Sequence, residues 1–153
     1  MIAGTIWNQL VLTLQENSTL KGYVKYVFEG VRSNIEPNSL PCIMLEPVSN
    51  NEIIKEMNNV KEVAMNINLF AFSSANYNEF TKTIVGDANY YGIFGIENDI
   101  RAALQSSNTL GDLVIDTISG ESVFDSVDID NSKYPARGVL IPIRIKYRQI
   151  NGV

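Results

Sequence analysis

Two stretches decide the fold class of this chain: Val60–Phe72, VKEVAMNINLFAF, and residues 138–149, GVLIPIRIKYRQ. In each of them, apolar side chains recur at every second position, which is typical of a β-strand with one buried face. They are the two longest alternating runs in the sequence. We therefore predict that these two strands pair at the centre of a sheet.

Helix and strand patterns elsewhere predict an α+β fold around that pair. Apolar residues at helical spacing indicate a helix over residues 5–16 and a second helix from Ile93 onward, in which Glu97 and Arg101 are placed to form an ion pair. The predicted fold is a mixed, mostly antiparallel β-sheet with an N-terminal helix and a second helix packed on one face, in one domain over residues 1–153. Further strands are predicted over residues 23–28 (or an extension of the first helix), 41–48, 113–118 and 122–129, although the last would bury Asp125.

The segment between Pro41 and Phe72 is predicted to form a long β-hairpin arm. Asn50 opens a polar connection through Asn59, so the expected mobile tip covers residues 49–59. We expect this tip to contact another protein through four polar residues: Asn51, Glu52, Lys55 and Glu56. In the terminal strand, Pro142 has no N–H to donate, which predicts either an edge position or a bulge there.

Composition restricts the chemistry that the chain can perform. The 153 residues include one cysteine and no histidine, which excludes an intrachain disulfide, a Cys/His zinc site and every Ser-His or Cys-His arrangement. The net charge of −5 gives no global basic field for nucleic acid. Cys42 is expected to be a buried small apolar residue. No signal peptide or membrane-spanning run is visible, so we expect a soluble, intracellular protein. From the composition we also expect no catalytic residues, metal or cofactor.

Charge order along the chain is the most informative feature. Acidic residues without a base occupy the segment between Arg101 and Lys133, and basic residues without an acid follow. Arg144, Lys146 and Arg148 alternate along the terminal strand and so share one face. One interpretation is protection of an edge strand by charge. The other is a subunit interface, in which acidic residues of one copy meet this basic strand of the next, with these candidates: Asp125, Asp128 and Asp130.

The same acidic segment also contains part of the pattern of a calcium-binding loop. Asp128, Asp130 and Ser132 supply part of a calcium loop at alternate positions. However, Lys133 stands where the loop needs glycine, and no glutamate follows. A solvated acidic loop is the preferred interpretation.

The order of elements resembles a known family through four segments: residues 40–47 (LPCIMLEP), 62–70 (EVAMNINLF), 96–104 (IENDIRAAL) and 138–148 (GVLIPIRIKYR). Through these four segments, the chain resembles the tail terminator proteins of long-tailed bacteriophages and their relatives among neck and tail-completion proteins. The segments are patterns distributed over most of the chain, and they include no catalytic motif.

The resemblance implies a protein that caps the tail tube as a hexameric ring, stops its polymerisation and joins tail to head. Its implied partners are copies of itself, the tail tube protein, a neck or head connector protein, and DNA that passes through the lumen without specific binding. It would be located at the tail–head junction of the virion, in the host cytoplasm during assembly, with no membrane contact. The alternatives are a neck or head-closure connector of the same virion, and an enzyme or binder of small molecules that uses carboxylates and tyrosines.

Overall fold

The computed structural model describes residues 2–32, 35–73, 84–86, 91–127 and 136–150. Its helices are α1 (Ile2–Glu16), α2 (Ser18–Lys21) and α3 (Ile93–Ser106), with a 3-10 turn at Pro37–Ser39. Its strands are β1 (Tyr26–Glu29), β2 (Cys42–Met57), β3 (Val60–Phe72), β4 (Asp116–Ser119), β5 (Val123–Val127) and β6 (Ala136–Ile150). Among the described residues, no helix is long and apolar enough to cross a membrane.

The strands form one mixed sheet in the order β1-β2-β3-β6-β4, with β5 also paired to β6. β1 runs parallel to β2, and every other pairing is antiparallel. β3 and β6 are in register over their whole length, from Val60 opposite Ile150 to Phe72 opposite Gly138. The predicted α+β class and the predicted central strand pair are therefore confirmed.

Alternation along β3 and β6 separates two faces of the sheet. The helix face carries the main core, in which side chains of α1 and α3 pack on the alternating apolar residues of β3 and β6, such as Leu69 and Ile141. The opposite face, called the outer face below, has a smaller cluster around Cys42, Met44 and Phe72. Cys42 is fully buried there, as predicted.

The hairpin differs from its prediction, because β2 continues to Met57 and only Asn58 and Asn59 form the turn. Asn58 adopts φ 55°, a left-handed conformation that asparagine tolerates and that tight hairpin turns require. The predicted polar connection over residues 50–59 is thus wrong. Every residue of β2 from position 46 to its end is exposed, so no buried face imposes an apolar alternation on this half of the strand.

The position of β6 also corrects a prediction. β6 lies inside the sheet, with β3 on one side and β4 and β5 on the other, so the edge prediction for Pro142 is wrong. The carbonyl of Pro142 accepts the N–H of Gly120 at 2.7 Å, which shows that the missing donor of Pro142 faces the same neighbour. That neighbour is interrupted there, since β4 ends at Ser119 and β5 begins at Val123. The break in the adjacent strand accommodates the proline.

Other boundaries shift by a few residues. α1 begins at Ile2 and ends at Glu16, and the side chain of Asn17 then caps α2 by accepting two backbone N–H groups at 3.1 Å. No helix runs through residues 23–28, so the helix-extension alternative is wrong, and the predicted strand there is β1, which begins at Tyr26. The strand predictions at 113–118 and 122–129 correspond to β4 and β5, with Asp125 exposed. The calcium candidate at residues 128–132 lies outside the described residues.

Candidate interaction surface

The three basic residues of β6 lie together on the outer face of the sheet. Arg144, Lys146 and Arg148 alternate with side chains that are buried against the helices. Tyr147, which lies between the last two, is fully buried and donates its hydroxyl to Asn50 Oδ1 of β2 at 2.8 Å. The core thus fixes the twist and register of β6, which in turn fixes the direction of the basic side chains.

Arg144 is engaged within its own chain. Its Nη2 lies 3.2 Å from Oε1 of Glu52 on β2, across the intervening strand β3. Asn66 of β3 joins them, because its Nδ2 donates to Glu52 Oε2 at 3.1 Å and to Ser49 Oγ at 3.0 Å. The side chains of Arg144 and Glu52 are 41% and 47% exposed, so the ion pair contributes at most about 1 kcal/mol. It orders the outer face more than it stabilises the fold.

Lys146 and Arg148 have no ion-pair partner within the part of the chain that the structure describes. Asp116 of β4 lies opposite Lys146 in the sheet register, and Glu62 of β3 lies opposite Arg148. The carboxylates of Asp116 and Glu62 reduce the positive potential around Lys146 and Arg148 without forming ion pairs with them. These two cations are therefore the ones available to an external acidic group.

The acidic half of the predicted interface is described only in part. Asp125 is exposed on β5, opposite Gly138 of β6, and directly opposed residues of antiparallel strands point to the same face. It thus lies on the outer face, and its Oδ1 accepts the N–H of Ser126 at 2.7 Å. Asp128 and Asp130 lie outside the described residues.

The four residues predicted at the hairpin tip lie along β2 instead of in a loop. Asn51 has φ 62° and belongs to a bulge, where the register with β3 shifts between Ser49 and Glu52. Glu56 approaches Lys61 of β3 at 4.0 Å. Lys55 has no ion-pair partner among the described residues. All four predicted residues are exposed: Asn51, Glu52, Lys55 and Glu56.

The arm also carries exposed apolar side chains that were not predicted from the sequence. Ile53 is 55% exposed, and Ile54 lies beside it at the third shift of the register along β2. At the end of the arm, Met57, Val60 and Ile150 lie opposite one another on three adjacent strands, and all three are exposed. The Ile53-Ile54 pair inside an otherwise polar segment was the available signal. Exposed apolar rows of this kind mark interaction surfaces.

The outer edge of β2 is also open. β1 pairs with β2 only from Cys42 to Leu45. Beyond Leu45, none of the described strands pairs with that side of β2, and the residues from position 46 to Met57 are exposed. An open edge can pair with a further strand, whereas charges and bulges along it restrict which strand fits.

The groups with shifted pKa values lie away from this surface. Burial, followed by the hydrogen bond that Tyr23 donates to Asp99 at 2.8 Å, raises the pKa of Tyr23 well above its ordinary value. Burial also raises the pKa of the Cys42 thiol to about 12. Among the described residues, no group of three or more Cys, Asp or Glu side chains could hold a metal ion.

No family model matches the chain, and none of the curated proteins matches its sequence.

Proposed function

We propose that this chain is a structural subunit of a bacteriophage virion that caps the tail tube as a ring, stops its polymerisation and forms the surface that joins tail to head. The observation that carries the proposal is the exposed arm formed by the ends of β2, β3 and β6. At one end of the sheet it combines three features: a strand edge that no described strand covers, two cations with no ion-pair partner among the described residues, and exposed apolar side chains. Such a surface suits assembly with other protein chains.

In the proposed ring, the outer face of one copy contacts the next copy. Lys146 and Arg148 are the available cations, and Asp125 is the one of the three predicted acidic partners that the structure describes, on the same sheet face. The contact would be heterologous, since a basic surface of one subunit meets an acidic surface of its neighbour, and a heterologous contact closes into a ring when the rotation allows it. The arm would reach the tube or the neighbouring subunit.

Disruption of the gene in its phage tests the function. The proposal expects overlong tails in negative-stain images, because polymerisation of the tube would lack its stop. Tails of normal length together with heads that leak DNA would favour the alternative, a neck or head-closure connector. Particles indistinguishable from the parent phage would refute both virion functions.

A charge-reversed variant tests the interface within that function. Lys146→Glu/Arg148→Glu changes the two cations that have no ion-pair partner in the described part of the chain, and leaves Arg144 paired with Glu52. The matched control is Lys21→Glu/Lys25→Glu, which makes the same charge change at exposed positions outside the arm. We expect the first variant to fold but fail to restore tail length in the disrupted phage, while the control restores it. Normal tail length with the first variant would remove these two residues from the interface.

A further inference from the structure

We propose that the open edge of β2 pairs with the same segment of a second copy, antiparallel and about a twofold axis perpendicular to the sheet. The segment is residues 51–56, NEIIKE. In the proposed register, Glu52 lies opposite Lys55 of the second copy, and Ile53 lies opposite Ile54. The symmetry repeats each pairing, so the contact contains two charge pairs and two isoleucine pairs.

The faces of the sheet agree with this register. Glu52 is opposite Ala64 and Lys55 is opposite Glu62, so both charges lie on the outer face. Ile53 is opposite Val63, which belongs to the helix face, and Ile54 is the extra residue of the adjoining bulge. A bulge places two successive residues against one partner, which keeps Ile54 on the helix face with Ile53. Opposed residues in the proposed contact therefore share a face.

Neighbouring registers are less favourable. A shift of one residue in one direction places Glu52 opposite Glu56 of the second copy, which pairs with Lys61 and so lies on the helix face, whereas Glu52 lies on the outer face. A shift in the other direction places Glu52 opposite Ile54, which is also on the helix face. Agreement of the faces thus selects one of these three antiparallel registers.

Charge also favours a second copy of β2 over the opposite edge of the sheet. β4 and β5 contain Asp116 and Asp125 and no basic residue. Pairing of β2 with that edge would bring the carboxylates of Glu46 and Glu52 towards further carboxylates on the outer face. Pairing of β2 with itself instead provides Lys55 as the counter-charge.

This contact goes beyond the proposed function, because a twofold contact between edges differs from the heterologous contact of a ring. Its expected product in solution is a dimer, and both Ile53 side chains lose exposure in it. The contact can be measured on the purified chain without phage particles.

A charge swap with a dimer readout tests the pairing. By sedimentation equilibrium, we expect Glu52→Lys and Lys55→Glu each to weaken dimerisation about tenfold, since each places like charges opposite one another twice. The double variant Glu52→Lys/Lys55→Glu should recover most of the parental affinity. It still lacks the Glu52–Arg144 ion pair, so recovery cannot come from that contact. Circular dichroism checks that every variant is folded.

A disulfide provides the second measurement. Ile53→Cys/Ile54→Cys should form a covalent dimer on oxidation, whereas Leu12→Cys, on the exposed side of α1, should not do so at the same protein concentration. A parental chain that remains monomeric at millimolar concentration, or a double charge swap that fails to recover, would overturn the pairing. Neither result would bear on tail length in the disrupted phage, which tests the proposed function separately.

Discussion

Replacement of Arg101 by methionine should loosen the attachment of the β4–β5 edge to α3. Arg101 Nη1 donates to Ser119 Oγ at 2.9 Å, while Nη2 donates to the carbonyl of Gly120 at 2.6 Å and to Ser122 Oγ at 2.5 Å. Its Nε also pairs with Glu97, as the sequence predicted, at 3.0 Å. The guanidinium of Arg101 therefore attaches the segment between β4 and β5 to α3. Methionine keeps the aliphatic stem and removes these bonds.

The cost of this substitution can be worked from the contacts. Three hydrogen bonds to neutral oxygens contribute about 1 kcal/mol each. The partly exposed ion pair adds about 0.5 kcal/mol, and ordering the long side chain costs about 2 kcal/mol. The net loss of unfolding free energy is therefore about 1.5 kcal/mol, equivalent to a decrease in Tm of about 3–6 °C for a chain of this size.

Urea unfolding followed by the fluorescence of Trp7 measures the global loss, and hydrogen exchange measures the local one. The Gly120 N–H, which donates to Pro142, should exchange faster in Arg101→Met. Arg101→Lys is the control, because it keeps the positive charge and loses the planar fork. We expect Arg101→Lys to recover less than half of the lost stability. Full recovery by lysine, or unchanged exchange at Gly120 in the methionine variant, would refute the reasoning.

Two further predictions concern the shifted pKa values. Because burial raises the pKa of the Cys42 thiol to about 12, Ellman's reagent at about pH 8 should react with it only as fast as the chain opens, and rapid reaction of the folded protein would contradict this. Because the pKa of Tyr23 is higher in the folded than in the unfolded chain, its stabilising effect is complete below about pH 10 and declines as the pH rises further. The difference in unfolding free energy between the parent and Tyr23→Phe should therefore be constant up to that pH and shrink above it, and a difference that grows in alkali would contradict the sign.

Much of the fold could be predicted because burial of one face of a strand or helix makes apolar residues recur at a regular spacing in the sequence. β3 begins and ends where its alternation does, and the buried side of α3 follows its helical spacing from Ile93 to Leu104. The second half of β2 could not be predicted in this way. It is exposed on both faces, and its register shifts near Val48, Asn51 and Ile54 break any alternation that remains.

The candidate surface was predictable to a similar extent. The common face of Arg144, Lys146 and Arg148 follows from a period of two within one strand. The contact of Arg144 with Glu52 depends on the register of three strands and on a bulge, and neither leaves a local signal. The central position of β6 was missed for the same reason, because a break near Gly120 in another strand accommodates Pro142.

That break has a consequence for aggregation. β4 offers four residues and β5 offers five, so a foreign strand arriving at this margin finds no long, continuous template. β2 provides the long free edge, and the proposed twofold contact would pair that edge in both molecules at once. No long free edge would then remain for further strands to pair with. The sheet would form a closed dimer and would not grow into a fibril.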